Sequence, residues 1–300
     1  MAQPDVVFHT SGPWRPIEMT GDRYCALRVH PHEIDEEQMS RTLTDLAPLM
    51  ELRPTDTGFR AQTFETGHGA IFGAYLLFQQ VLAAERAIPG KRVLSLQTIF
   101  ANGGRSGEPI DIVVETLQEG RSFASVTLSF QQDGIVVSRA LALMTTDEDD
   151  FLRHQSSPAS TVRWQEWPER DPGLWPGTAR QSPNSSLNGL SVRLGLDEPV
   201  TDPSVARALV ALCSEPEVIT SFIRFGGVPD APAGRVPGNV LTQTVTLLEP
   251  VRHDAGVVLQ VDPTYSGQGR SHGSGLVTDE AGRLLATFST TGVLRAPRPA

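Results

Sequence analysis

Apolar residues run almost unbroken from Ala70 to Arg86, through Ile71, Phe72, Tyr75, Leu76, Leu77, Phe78, Val81 and Leu82. A helix with no polar face has to be wrapped by other elements. Pro89-Gly90 ends it, because proline cannot continue a helix. Ahead of it, Phe59 to Phe64 reads as a strand and Glu65 to Gly69 as a turn-rich loop. Behind it come four β-type segments: Val93 to Phe100, Pro109 to Leu117, Ser122 to Gln131 and Ile135 to Thr145. Gln131-Gln-Asp-Gly134 between the last two has the composition of a hairpin turn.

The pattern then repeats. Leu187 to Leu196 is a strand candidate, and Asp202-Pro-Ser204 caps a helix expected to run from Val205 to about Phe225. Val240 to Leu248, Gly256 to Asp262, Ser271 to Thr278 and Leu284 to Leu294 are strands, with Asp279-Glu-Ala-Gly282 as the matching turn. Arg121 and Arg270, each in a Gly-Arg-Ser triplet, stand 149 positions apart, and the turn glycines Gly134 and Gly282 stand 148 apart. Gln97 and Gln243, each inside a similar strand, stand 146 apart. Near-equal spacings in one order mean that one strand–helix–meander unit is used twice. The division expected is residues 1–149, a connector 150–186, and 187–300. The first 45 residues are polar and irregular apart from a strand-like Tyr24 to His30. The connector holds three of the four tryptophans (Trp164, Trp167 and Trp175), which pin it to the surface.

Composition narrows the function. The net charge of −10 disfavours nucleic acid and anionic membrane surfaces as partners. Lys91 is the only lysine among 25 basic residues, so any phosphate clamp rests on arginine or backbone N–H groups. Cys25 and Cys213 read as two reduced, buried thiols. Met1 to Thr10 lacks the features of a signal peptide, and the best apolar run falls short of the ~20 residues a span needs. A cytoplasmic protein is expected. No metal-ligand spacing and no dinucleotide fingerprint is present, so no cofactor is expected.

A tandem α+β unit with one apolar helix in an antiparallel sheet is similar to the hotdog fold, and its duplicate resembles the double hotdog of the type II acyl-CoA thioesterases. Ile71-Phe-Gly73 looks like that family's Phe-Gly-Gly helix start. Val114-Glu-Thr-Leu-Gln-Glu-Gly-Arg-Ser-Phe123 is similar to its Val-Glu-Thr-Leu-Arg-Asp-Gly-x-Ser-Phe signature, and Gly292-Val-Leu-Arg295 resembles its closing strand. The resemblance covers roughly residues 50–147 and 187–296. It implies hydrolysis of a fatty or branched acyl-CoA by a water held on Asp, Thr or Ser, and Gln of the second unit. By position these fall on Thr242, Thr264 and Thr290, so one of the three matches in type. The family's histidine falls on Gln243, with Gln97 as its first-unit counterpart, and its Arg-Pro is Asn102-Gly103 here.

Other residues offer chemistry of their own. Gly67-His-Gly-Ala-Ile-Phe-Gly73 presents unobstructed N–H groups, with Gly69 and Gly73 as candidates to polarise a carbonyl. His68 is a candidate base, Glu65 and His272 are alternatives, and Arg121 and Arg270 are candidates for CoA phosphates. Two other functions stay open: an acyl-binding protein without hydrolysis, and a hotdog dehydratase or isomerase using His68 or Glu65. Exposed sheet edges make a homo-oligomer an expectation.

Overall fold

A computed structural model of the chain describes residues 42–66, 69–155, 164–184, 189–225, 238–251 and 256–295. The strand-like Tyr24 to His30, with Cys25, and the loop residue His68 lie outside the described residues. The strands of the described residues form one antiparallel sheet in the order β1-β2-β4-β5-β6-β3-β10-β13-β12-β11-β9-β8-β7. The first half comprises β1 (Arg53–Thr55), β2 (Gly58–Gln62), β3 (Arg92–Phe100), β4 (Pro109–Glu119), β5 (Phe123–Gln132) and β6 (Ile135–Thr145). The second comprises β7 (Glu169–Arg170), β8 (Gly177–Asn184), β9 (Gly189–Leu196), β10 (Gly238–Leu247), β11 (Val257–Gly267), β12 (Arg270–Asp279) and β13 (Leu284–Leu294). Read outward from the β3–β10 junction, the two halves have the same strand order. The duplication is therefore a pseudo-two-fold centred on that pair.

Helix α2 (Gly73–Ala87) lies on the sheet, with every residue from Ala74 to Ala84 buried. The short α1 (Ala47–Met50) packs beside it. Burying a side chain such as Phe78, which is fully enclosed, contributes about 1.5–3 kcal/mol. The two polar residues of the run make hydrogen bonds inside, with Gln79 Oε1 alone left without a partner among their side-chain atoms. Thr98 Oγ1 donates to Gln80 Oε1 at 2.7 Å, and Gln80 Nε2 donates to Ser138 Oγ at 3.1 Å. Gln79 Nε2 donates to the Gln62 carbonyl at 2.8 Å. The helix begins at Gly73 rather than at Ala70. The Ile71 N–H donates to the Gly103 carbonyl at 2.8 Å, which holds the entering chain on the β3–β4 connection.

The second helix departs from expectation. Instead of one helix to Phe225 there are two, α3 (Pro203–Ser214) and α4 (Glu217–Phe225). Pro216 lacks an N–H and its ring clashes with the preceding turn, so the helix breaks there. At its start Asp202 accepts from the Ser204 N–H at 2.8 Å, as its capping sequence predicts. The connector also differs: it contributes β7 and β8 to the sheet, where β8 pairs with β9. Trp175 is buried and donates its indole N–H to the Gly195 carbonyl at 2.8 Å, and Arg193 lies 4.2 Å over the Trp164 ring.

One equivalence needs correction. On the junction Gln97 pairs with Thr244 and Thr98 with Gln243. Paired residues share a face, so Gln97 and Gln243 point to opposite sides, Gln97 exposed and Gln243 fully buried. Bulges between Val93 and Ser95 in β3 and between Val240 and Thr242 in β10 lie at matching places 147 positions apart, so Gln97 corresponds to Thr244 and Gln243 to Leu96. Each adds a residue to one strand and inverts the faces beyond it.

Candidate active site

The break between α3 and α4 places two carboxylates, Glu215 and Glu217, in the interior, at 8% and 3% exposure. They differ in their partners. Arg170 from β7 donates to both oxygens of Glu217, Nη1 to Oε2 at 3.2 Å and Nη2 to Oε1. No hydrogen bond reaches the carboxylate of Glu215 among the described residues. Burial first, and the negative charge of Glu217 second, push the Glu215 carboxyl from 4.5 up to about 7.

Glu215 belongs to the second unit but lies against the first. A methyl group at Gly73 would sit 2.6 Å from Glu215 Oε1 and 3.0 Å from the Phe100 ring. The close approach requires glycine at this position. The first N–H groups of a helix have no partner inside it. Those of Gly73 and Ala74 gain none elsewhere among the described residues. The site thus brings together a proton-accepting group, unengaged N–H donors and the positive end of a helix dipole.

A buried chain of hydrogen bonds backs this corner. Thr290 Oγ1 donates to Gln243 Oε1 at 2.6 Å, and Gln243 Nε2 donates to Ser214 Oγ at 3.0 Å. Ser214 Oγ in turn donates to the Ala211 carbonyl at 2.8 Å. All three side chains are fully buried. The chain ties β13 and β10 to the last residue of α3, immediately before Glu215. The first half has a chain of the same residue types, Thr98–Gln80–Ser138, at different positions in the unit. The carboxylate near the end of α2 has a different fate. Glu85 accepts from Arg207 Nε at 2.7 Å and from the Val93 N–H at 3.0 Å, so it is fully engaged.

The three threonines do not converge. Thr290 is in the buried chain with Gln243. Thr242 pairs with Thr291 and Ile99, on the opposite face from Gln243 and Thr290. Thr264 is exposed in the β11 bulge between Asp262 and Tyr265, its hydroxyl 3.4 Å from the Asp262 carbonyl. Arg121 and Arg270 are exposed at the β4–β5 and β11–β12 turns, and Gln97 is exposed on the outer face. Gly69 has φ +81° with open space around it, and Gly73 is the first residue of α2. Glu65 accepts from the Ser106 hydroxyl and the Thr66 N–H, both at 3.0 Å. His272 Nδ1 lies 3.1 Å from Thr291 Oγ1. Cys213 is buried and its thiol is pushed far up, chiefly by desolvation, which makes it inert. No group of three candidate metal ligands occurs among the described residues.

Sequence reasoning missed Glu215, Glu217, Ser214 and Arg170. The available signal was Ser214-Glu-Pro-Glu217, two carboxylates and a proline inside an otherwise apolar run.

Comparisons with known proteins agree with the architecture. The family model of the acyl-CoA thioesterase N-terminal domain matches residues 60–145. Acyl-CoA thioesterase 2 of Haemophilus influenzae is 30% identical over 122 residues, 40% of this chain. That match spans 43% of the relative's length. An acyl-CoA thioesterase II, TesB2, from Mycobacterium marinum superposes with a TM-score of 0.70 at 20% identity, over 83% of this chain and 98% of that one. A conserved protein of unknown function with a hot dog fold from Alicyclobacillus acidocaldarius gives a TM-score of 0.67 at 19% identity, over 86% and 100%. The fold places the chain among the double-hotdog proteins. Within that class, residues 60–145 are similar to the acyl-CoA thioesterase N-terminal domain, and part of the chain is similar to an acyl-CoA thioesterase 2. No described helix is long and apolar enough to cross a membrane.

Proposed function

We propose that the protein hydrolyses an acyl-CoA thioester in the cytoplasm, with Glu215 as general base. The observation that carries this is the unpaired, buried carboxylate against the start of α2. Glu215 takes a proton from a water, and the water oxygen attacks the thioester carbonyl carbon. The N–H groups of Gly73 and Ala74 receive the developing oxyanion. The C–S bond then breaks, and the departing CoA sulfur takes the proton from Glu215. The products are the free acid and CoA. With its carboxyl raised to about 7, Glu215 is a stronger base than an ordinary carboxylate and is still mostly ionised just above neutrality. Thr290, Gln243 and Ser214 hold the backbone that carries it. This reading gives the acid–base role to Glu215, where the sequence offered His68, Glu65 or His272 as candidate bases.

The test is release of free CoA from a panel of acyl-CoAs by the wild type and by Glu215→Gln. Loss of base catalysis is expected to lower the rate by about 10²–10⁴-fold. Unchanged turnover in Glu215→Gln would refute the assignment. His68→Ala and Glu65→Gln, measured alongside, report on the dehydratase-like alternative. Binding of acyl-CoA without CoA release would favour a non-hydrolytic carrier.

A further inference from the structure

The ion pair between Arg170 and Glu217 calls for an explanation. It is almost wholly enclosed, with 9% and 4% of the two side chains exposed, and Arg170 Nε is buried without a hydrogen-bond partner. Buried pairs repay their desolvation only with full hydrogen bonding, and apolar replacements are often neutral or stabilising. An incompletely satisfied pair is thus a poor device for stability alone. Its position suggests another use. Glu217 is two residues from Glu215 across Pro216, and Arg170 reaches it from a different part of the chain, the connector strand β7.

We propose that the Arg170–Glu217 pair is a positioning device that keeps a fixed negative charge beside Glu215 and thereby sets the pH at which Glu215 gains and loses its proton. The inference rests on Glu215 acting as the base. Two adjacent buried carboxylates do not both ionise readily. Arg170 decides which of them does, because it engages both oxygens of Glu217 and leaves Glu215 with no cation among the described residues. Among the described residues, few other groups bear on the charge of Glu215. From α4 comes Glu217, with Arg170 of β7 on it. From α3 comes Cys213, which stays protonated. From α2 come the N–H groups of Gly73 and Ala74, which oppose the effect of Glu217, and from β3 the neutral Phe100 ring. Glu217 is the charged group that raises the proton affinity of Glu215.

The experiment is the pH dependence of kcat/KM for acyl-CoA hydrolysis by the full chain. Glu217→Gln keeps the shape of the side chain and removes its charge. Its acidic limb is expected to move down by about one unit, so that at pH 6 it retains about five times the wild-type fraction of its own plateau. The double variant Arg170→Met/Glu217→Leu removes the pair as a unit and is expected to show the same shift, which covers the case in which Glu217→Gln alone does not fold. A purely structural pair would alter stability or plateau rate but leave the midpoint in place. Wild-type midpoints in both variants, with Glu215→Gln inactive at every pH, would overturn the inference and leave the base assignment standing. Full activity in Glu215→Gln would remove the assignment itself.

Discussion

Glu215→Gln separates chemistry from folding. The folded protein holds the Glu215 carboxyl at about 7, against 4.5 for an unburied glutamate. Below about pH 4.5 the group is protonated in both states and contributes nothing to the pH dependence. As pH rises from 4.5 to 7 the unfolded chain releases this proton while the folded chain keeps it. The native state then binds more protons than the unfolded one, so stability falls with rising pH. At about 1.4 kcal/mol per unit over this window, the wild type loses about 3 kcal/mol by pH 8. Glutamine has nearly the same shape and no charge to desolvate. Glu215→Gln is therefore expected to match the wild type near pH 4 and to exceed it by about 3 kcal/mol at pH 8. Urea unfolding followed by tryptophan fluorescence at pH 4, 6 and 8 measures this directly. Taking the difference between the two proteins cancels the titration of every other group. A difference that is flat with pH, or a glutamine variant weaker than the wild type at pH 8, would refute the reasoning. Either result would mean that Glu215 has solvent or a partner stabilising its charge.

Other outcomes follow from the same geometry. Gly73→Ala places a methyl group 2.6 Å from Glu215 Oε1. CoA release is expected to fall about 10²-fold through displacement of the carboxylate, while circular dichroism stays native. Thr290→Val leaves the buried Gln243 Oε1 without its donor. That is expected to cost about 1–3 kcal/mol in denaturant unfolding, with activity falling because Ser214 is less firmly held. Thr264→Ala, on the exposed bulge, is expected to change CoA release by less than twofold and stability by under about 0.5 kcal/mol. A large loss of turnover there would restore the family position to the site.

The local pattern of apolar and polar residues determined a good deal. The unbroken apolar run can only be a wrapped helix, and the paired turns and repeated spacings require two copies of one unit. The cap at Asp202 and the hairpin turns are equally local. At Asp133-Gly134 and Gln268-Gly269 all four residues take positive φ, from 48° to 77°, as tight turns demand. These features need only a few neighbouring residues, so they were legible in the chain itself.

The site was not legible in the same way. The two copies of this strand correspond at an offset of 147, not at the 146 that aligns Gln97 with Gln243, and because side chains alternate along a strand that one-residue slip puts Gln97 outward and Gln243 inward. Pro216 splits a helix whose apolar periodicity continues on both sides. Whether Glu215 is an ordinary solvated glutamate or a base depends on Gly73, 142 positions away, and on Arg170 from the connector. Periodicity along the chain fixes which residues are buried, because burial follows from the local repeat. Proton affinity follows from what a distant strand and helix bring within a few ångströms, and only the tertiary structure decides that.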